Sequence, residues 1–528
     1  MRDLSTTIVT LALACGGCAQ GDTQCPVGTL PAGDGCVVVA GDATRASDAA
    51  SPGDDAGAGC NPLAADPLDG LDQNCDGVDG DPATQLFVSP FGDDTNAGTP
   101  SSPFRTLGAA LAAHGPGIAI VLAAGTYPED IDADLVGRGI FGGYDAHTWT
   151  TTEHRSVVLG ANASPILTVP PAGSVTVERL EVRGRTPAEP GGSSIALRLT
   201  GDGSGTAHVV DSRLFAERGQ EGEAGTDGAA GTPGSNGIDG QRCLWDDGLD
   251  CTGSLARASA GVASVCGPST ASGAGGGSRL AGARSASGSA GGVSGAGVVA
   301  TEGGDGEPGL PGAAGLDGAT GAGLGTFSVA SYEPPAGHDG TAGTAGGGGG
   351  GGGGGASRSG PCSAPYVSVE PAGSAGGSGG AGGCGAAPGA GGGGGGASVG
   401  LIAEGVRIVL DRSHLETAGG GRGGAGGNGG TGGVGGAPGA GGASACGRDG
   451  VLGYAGGDGG SGGDGGAGGH GAGGAGGPSV GVVLLGGAAL ETTESTITVG
   501  PAGAGGSSDG SAGQPGLRTE TLSGSGGT

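Results

Sequence analysis

Lysine is absent: all 21 basic residues among the 528 are arginines. This excludes phosphate-loop lysine chemistry. Together with a formal net charge of -30, it also removes the clustered cations of a nucleic-acid footprint. Aromatics are scarce at thirteen, and seven of them (Phe87, Phe91, Phe104, Tyr127, Phe141, Tyr144, Trp149) lie before residue 150. One conventional core is therefore expected early, and any interior beyond it must be aliphatic and narrow, as in a solenoid. After the N-terminus no run of 18 apolar residues occurs; 480–489 is apolar but too short to span a bilayer. Seven histidines are scattered without metal-ligand spacing, and neither a nucleophile elbow nor an HExxH motif is present. The many GxGxxG matches are by-products of composition.

What is abundant is glycine, 141 residues of it. In 419–438 the residues Arg422, Ala425, Asn428, Thr431, Val434 and Ala437 stand three apart with almost only glycine between them. Glycine loses the most backbone freedom on ordering and supplies no side chain to bury, so helix and sheet gain little here. In a polyproline-II-like helix, three residues per turn put every side chain on one edge and leave bare backbone on the other two. Segments 219–240 and 303–321 carry glycine at every third position. Segment 346–355 is all glycine, 391–396 is too, and 455–470 repeats Gly-Gly-X with Asp458, Ser461, Asp464, Ala467 and His470 on the edge. Such composition ordinarily means disordered linker. The strict period, the inserted cysteines and the return to strand pattern after each block argue instead for order. Collagen is disfavoured, because the Gly-X-Y runs are short, proline is sparse, and trimers would have to coexist with a monomeric solenoid.

The N-terminus runs Met1-Arg2-Asp3, then mostly apolar residues 4–14, then Ala12-Leu13-Ala14-Cys15-Gly16-Gly17-Cys18. It resembles a bacterial lipoprotein signal, which implies a lipid anchor on Cys18 or Cys15, export, and a place at the outer membrane or cell surface. Ala12 stands where such signals carry a bulky aliphatic residue. Twelve cysteines in an exported chain suggest disulfides, and the close pairs Cys25/Cys36, Cys60/Cys75 and Cys243/Cys251 are the first guesses. Cys266, Cys362, Cys384 and Cys446 sit in or near glycine blocks and are placed to staple them. Residues 19–84 read as an extended stalk interrupted by Asp-Gly-Leu-Asp-Gln-Asn-Cys-Asp-Gly-Val-Asp at 69–79, with oxygen ligands at alternate positions and Gly77 for a sharp turn. The stretch resembles the aspartate-rich metal-binding repeat of bacterial surface proteins. That resemblance implies calcium or a similar ion on Asp69, Asp72, Asn74, Asp76, Asp79 and the Val78 carbonyl, with a Cys60–Cys75 bridge closing the loop. A solvated acidic turn is the alternative.

From Leu86 the pattern VSPxGDDxNxGTxxxPFxTLxxAL, followed by AGTY and GGYD, is similar to the N-terminal cap of right-handed parallel β-helix proteins of the pectin-lyase-like family. The resemblance covers about 86–185 and implies a short helix closing the first coil. Thr106 is its expected cap, with Leu107, Ala110 and Leu111 as the buried stripe. Later strands repeat: VVDSRLFAERG, VLDRSHLETAG and TTESTITVG, with SVTVERLEVRG as a looser copy, place Leu180, Leu214, Leu415 and Ile497 in register, and Val182, Ala216, Thr417 and Val499 likewise. The fold expected is all-β, a right-handed parallel β-helix with a capping helix and long glycine-rich insertions (polyglycine-II-like or disordered) leaving one corner. The divisions are a signal at 1–18, a stalk at 19–84, cap and first coils at 85–218, an insert at 219–396, a coil at 397–418, an insert at 419–478, a coil at 479–500, and a Gly/Ser tail at 501–528. The blocks resemble the glycine repeats of mycobacterial PE-PGRS surface proteins and polyglycine-II bundles.

Pectin-lyase-like enzymes cleave acidic polysaccharides with acids and a basic residue on one face. Here Asp211 and Arg213 on one coil, and Asp411, Arg412 and His414 on another, are roughly in register, yet aligned charges at corners are more often paired or solvated ions. The reading is therefore a non-enzymatic, lipid-anchored surface structural or adhesion protein, with no catalytic residues assigned and a polysaccharide lyase or hydrolase as the alternative. Trp245, between acids in the Cys243–Cys251 stretch, is the best binding residue for a glycan or protein ligand. No nucleic-acid partner is expected.

Overall fold

The computed structural model describes residues 29–32, 35–38, 61, 64–68, 72–134, 139–160, 165–241, 259–267, 273, 302–321, 323–355, 357–359, 374–446 and 451–524. The chain divides into two units. The smaller comprises Met1–Ala65 and Gln73–Asp76; its described part holds an antiparallel pair, Thr29–Ala32 with Gly35–Val38, and an Asn61 N–H donated to the Gln73 carbonyl. The larger comprises Asp66–Asp72 and Gly77–Thr528.

The larger unit is built on three parallel sheets that the chain visits in rotation, one strand per sheet per coil. The first holds Gln85–Val88, Ala119–Ala123, Gly139–Tyr144, Ser174–Glu178, Thr206–Val210, Arg407–Asp411 and Ala489–Thr493. The second holds Thr126–Pro128, Ser156–Leu159, Leu180–Arg183, Arg213–Ala216, His414–Thr417 and Thr496–Val499. The third holds Asp132–Asp134, Ile166–Thr168, Ser194–Thr200, Ser398–Glu404, Ser479–Leu485 and Arg518–Ser523. This is a parallel β-helix. Alternate residues point inward and stack into an aliphatic core, as in Val177, Val209 and Leu410 or Leu214, Leu415 and Ile497. One-coil spacing leaves room for little more than Val, Leu and Ile, which is why aromatics are so few.

The helix Leu107–Ala113 closes the first coil, buries Leu107 and Ala110, and is N-capped by the Thr106 hydroxyl. Leu111 is partly buried against the same core. The early aromatics do not fill the coil interior alone. Phe87, Phe141, Tyr144 and Trp149 form a separate cluster with Leu68 and Val78 packed on it, and Phe87 meets Trp149 edge-on at 4.7 Å.

The repeat register holds for Leu214, Leu415 and Ile497 and for Ala216, Thr417 and Val499, but the first copy is displaced by two residues. Val182, not Leu180, pairs with Leu214. The cause is the corner between the first two sheets. Leu180 stands where the later coils place Ser212, Ser413 and Ser495, so its strand starts one corner residue earlier. Those serines form a ladder: Ser212 Oγ accepts the Leu180 N–H, Ser413 Oγ that of Ser212, and Ser495 Oγ that of Ser413.

Three successive coils leave the solenoid between the second and third sheets, after Ala216, Thr417 and Val499, and rejoin at Ser398, Ser479 and Arg518. The excursions run as extended rods joined by backbone hydrogen bonds every third residue. The outbound rods 219–241, 419–442 and 501–507 lie parallel in one row: Gly222 donates to Arg422, Gly225 to Ala425, and Gly423 to Ala504. The returning rods 374–396, 454–477 and 511–517 form a second parallel row, in which Gly380 donates to Gly460 and Gly473 to Ser511. Rods 302–321 and 335–355, a further pair within the first excursion, lie against 454–477. The hairpin between them, Thr326–Phe327 with Tyr332–Glu333, packs Phe327 and Tyr332 over Ile195, Val399 and Val480, the outward apolar residues of the third sheet. Cys266 and Cys384 form a disulfide that ties segment 259–267 to rod 374–396.

Glycine content follows contact. Rods 219–241 and 302–321 bond to two neighbouring rods each and carry one glycine per triplet; 454–477 bonds to six and is Gly-Gly-X. A Cβ on Gly222 would lie 2.0 Å from the Gly393 carbonyl oxygen, and one on Gly424 1.9 Å from that of Glu223. Pro233, Pro308 and Pro311 occupy the third triplet position, whose N–H takes no part in the ladders. All of 346–355 is buried.

Candidate functional site

The densest group of charges lies at the corner between the first and second sheets. Arg179, Asp211, Arg412 and Glu494 stack there on successive coils, each in the left-handed region with φ of 54°, 41°, 47° and 48°. The sequence placed Asp211, Asp411 and Arg412 roughly in register, with Leu214 opposite Leu415. The structure keeps that register: Asp411 ends its strand opposite Val210, and it is Arg412 that stacks on Asp211. The result is a column of alternating sign. Asp211 is paired with both Arg155 and Arg179 (3.5 Å to the latter), with all three side chains a quarter to a third exposed. Arg412 pairs with Asp411 at 2.6 Å. Arg213 and His414 stack on the second sheet, and His414 Nδ1 lies 2.6 Å from the Thr496 hydroxyl. Nearby, burial raises the carboxyl pKa of Glu178, with Arg179 and Arg412 opposing. Every acid of the proposed lyase set is thus engaged by an arginine within the fold.

The acidic residues of the cap motif are also engaged. Asp94 Oδ1 accepts the N–H groups of Arg105 and Thr106, and Glu129 accepts those of Leu107 and Gly108 at 2.8 and 2.7 Å. A carboxylate on the first amides of a helix stabilises it through otherwise unpaired donors and the helix dipole. Sequence reading missed Glu129, because only the return of the first coil brings it beneath the helix 22 residues away in sequence.

The aspartate-rich loop is described in part. In the larger unit, Asp72 Oδ2 accepts the Gly77 N–H at 2.9 Å and Asp66 Oδ2 that of Gly80 at 2.9 Å. Asp79 is buried and accepts the Tyr144 hydroxyl at 2.7 Å, while burial and this carboxylate push the Tyr144 pKa far above its ordinary value. Asp79 thereby anchors the loop to the aromatic cluster, and Val78 packs there too. In the smaller unit, Asn74 Oδ1 accepts the Asp76 N–H. Hard oxygen donors suit a hard cation; of the acids expected to hold one, Asp79 is committed to Tyr144. Asp69 lies outside the described residues, as do Cys15, Cys18, Cys25, Cys60, Cys243, Cys251 and Trp245. Cys36 falls in Gly35–Val38, and Cys75 is disulfide-bonded. Tyr332 is a packing residue, its pKa raised by burial.

A third group was not singled out from the sequence: polar side chains along the rods that accept backbone N–H groups of the next rod. Asp227, Asn236 and Asp239 accept from Asn428, Ala437 and Ala440; Asp305 and Asp317 accept from Asp458 and His470. The recurrent 201-residue and 153-residue separations are the signal that would have found them.

Comparison with known proteins adds little beyond the fold. A family described as "Protein of unknown function (DUF1565)" matches residues 91–134, the capping segment. No curated protein matches. Among solved structures, a rhamnogalacturonan lyase is similar at 16% identity and a TM-score of 0.20, over 26% of this chain and 39% of that one. The chain therefore spans well under half of that protein's length.

Proposed function

We propose that this chain is a non-enzymatic surface scaffold: a parallel β-helix that projects a polyglycine-II-like bundle as a stiff arm. The observation that supports it is the continuity of pairing from coil to rod. Gly219 N–H donates to Gly419, and Gly420 to Pro501, directly after the paired strands Arg213–Ala216, His414–Thr417 and Thr496–Val499. The solenoid fixes both ends of each excursion at one corner of one coil and successive excursions one coil apart, so the rods meet already in register and the loop-closure cost falls on the β-helix rather than on glycine. At about 3.1 Å per residue, rod 219–241 reaches roughly 70 Å.

Export and a lipid anchor at Cys18 or Cys15 belong to this reading. The Cys266–Cys384 disulfide supports an oxidising compartment. Calcium on the aspartate-rich loop 69–79 would stiffen the stalk, and the arm would display its edge side chains to a surface glycan or protein. Lyase chemistry on acidic glycans is the competing reading, and the arginine-bound state of Asp211 counts against it. The deciding experiment exposes the chain to polygalacturonate and related uronic-acid polymers. Depolymerisation that is lost in Asp211→Ala or Asp411→Ala would overturn the scaffold reading; binding without cleavage supports it.

A further inference from the structure

The bundle is unequal along its length. Rod 454–477 has the rods 501–507 and 511–517 on one side only near its base: Gly503 and Gly506 donate to Gly477 and Gly474, and Gly473 and Gly476 donate to Ser511 and Gln514. At those positions the repeat of 454–477 carries glycine where side chains stand further out. A Cβ on Gly473 or Gly476 would lie 2.1 Å from the Gly506 or Gly503 carbonyl oxygen. Beyond the tip of the short pair, the same edge bears Asp458, Ser461, Asp464, Ala467 and His470, the first four of them exposed.

The neighbouring amides of rod 419–442 are treated accordingly. Near the base, Gly420, Gly423 and Gly426 donate to backbone carbonyls of Pro501, Ala504 and Ser507. Farther out, the next members of that row meet side chains: Gly429 N–H faces His470 Nδ1 at 3.3 Å, Gly435 donates to Asp464 Oδ1 at 2.8 Å, and Gly441 to Asp458 Oδ1 at 2.7 Å. The carboxylates and the imidazole take the places that a further rod's carbonyls would occupy.

We infer that this outer open face is a self-association edge which Asp458, Ser461, Asp464, Ala467 and His470 hold closed, and that the partner they exclude is the same face of a second copy of this chain. The inference rests on the polyglycine-II-like reading of the rods. At the base this groove both donates, from Gly420 and Gly423, and accepts, at the Gly474 and Gly477 carbonyls; a face that carries donors and acceptors at a fixed three-residue repeat is complementary to another rod of that repeat, this chain supplies one, and a two-fold contact would pair like edges. The side chains close the edge twice over, by satisfying the amides and by filling the space that a flush backbone needs.

The test replaces all five residues with glycine in the full chain and measures sedimentation over a concentration series. The expected result is a single species for the native chain and, for the variant, a dimer dissociation constant at least ten-fold lower. A Glu223→Gln/Glu307→Gln control removes an equal number of negative charges, two, from exposed positions on other rods and stays as the native chain. Equal association of the control, or a folded five-fold variant that sediments like the native chain, overturns the inference. Amide exchange separates the layers and does not depend on the five-fold variant folding. In Asp464→Ala, exchange at Gly435 quickens at least ten-fold, while Gly436, bonded to the Ala381 carbonyl, is unchanged; an unchanged Gly435 overturns the cap. Fast exchange of Gly436 in the native chain would instead remove the rod lattice itself, and the inference with it.

Discussion

Replacing Gly462 by alanine should destabilise the arm, although the same change in a flexible linker would be neutral. A Cβ at Gly462 would lie 2.0 Å from the Ala381 carbonyl oxygen and 2.5 Å from its carbon. Rod 374–396 is hydrogen-bonded to rods 219–241, 335–355 and 419–442 as well, so it has no room to recede. Three bonds are at stake: Gly462 N–H to Gly436 (2.9 Å), Gly436 N–H to Ala381 (2.7 Å) and Ala381 N–H to Ser235 (2.9 Å). At about 1 kcal/mol net for each, the loss is about 3 kcal/mol. In a disordered segment, Gly→Ala restricts the native and the unfolded chain alike, so stability is unchanged. The two accounts therefore differ by the whole of that loss. The assay is amide exchange by mass spectrometry on 374–396, 419–442 and 454–477, with Ser461→Ala, one residue away on the exposed edge, as the control expected within about 0.5 kcal/mol of the native chain. If Gly462→Ala and Ser461→Ala protect these segments equally, the lattice argument is refuted.

Glu129→Ala removes both acceptors from the capping helix and should cost about 1–3 kcal/mol in urea unfolding, whereas an exposed glutamate such as Glu302 should not. Reducing the Cys266–Cys384 bond, whose cysteines are 118 residues apart, should cost about 2–5 kcal/mol and raise exchange in 374–396; unchanged exchange would mean the staple is redundant. Burial raises the pKa of Glu178 in the fold, so the native state holds its proton more tightly than the unfolded chain, and stability falls as pH rises from the ordinary carboxylate value through the raised one. Glu178→Gln should accordingly raise the melting temperature near neutrality and converge with the native chain in acid; a parallel offset at all pH values would contradict this. Calorimetric calcium titration of the full chain should give heat that Asp72→Asn/Asp76→Asn abolishes, and no heat at all would remove the cation from the proposal.

The cap motif, the short helix with Thr106 at its start and the period-two strands were legible because each is decided within a few residues: a hydroxyl three positions before an amide, or alternate aliphatics facing one interior. The corner excursions were legible as a repeated place in the chain. The two-residue error at Leu180 shows the limit of alignment by likeness. Leucine matched leucine, while the true register follows a corner where Leu180 fills a serine position. For the later coils the likeness held, and the Leu214–Leu415 register sets Arg412 opposite Asp211.

By itself the sequence determined the class of architecture. Too few aromatics for a broad core and aliphatic pairs two apart point to a thin solenoid, the cap motif's resemblance implied a parallel β-helix, and glycine three apart left the excursions either three-fold or disordered. Which glycine block lies against which was decided only by the tertiary structure. Bare backbone carries no side-chain code, and any glycine rod can bond any other. The partners are assigned by the coils: strands stacked in register at the solenoid corner deliver the rods in fixed order, and each Asp, Asn, Thr or His acquires its capping role from the neighbour that the order supplies.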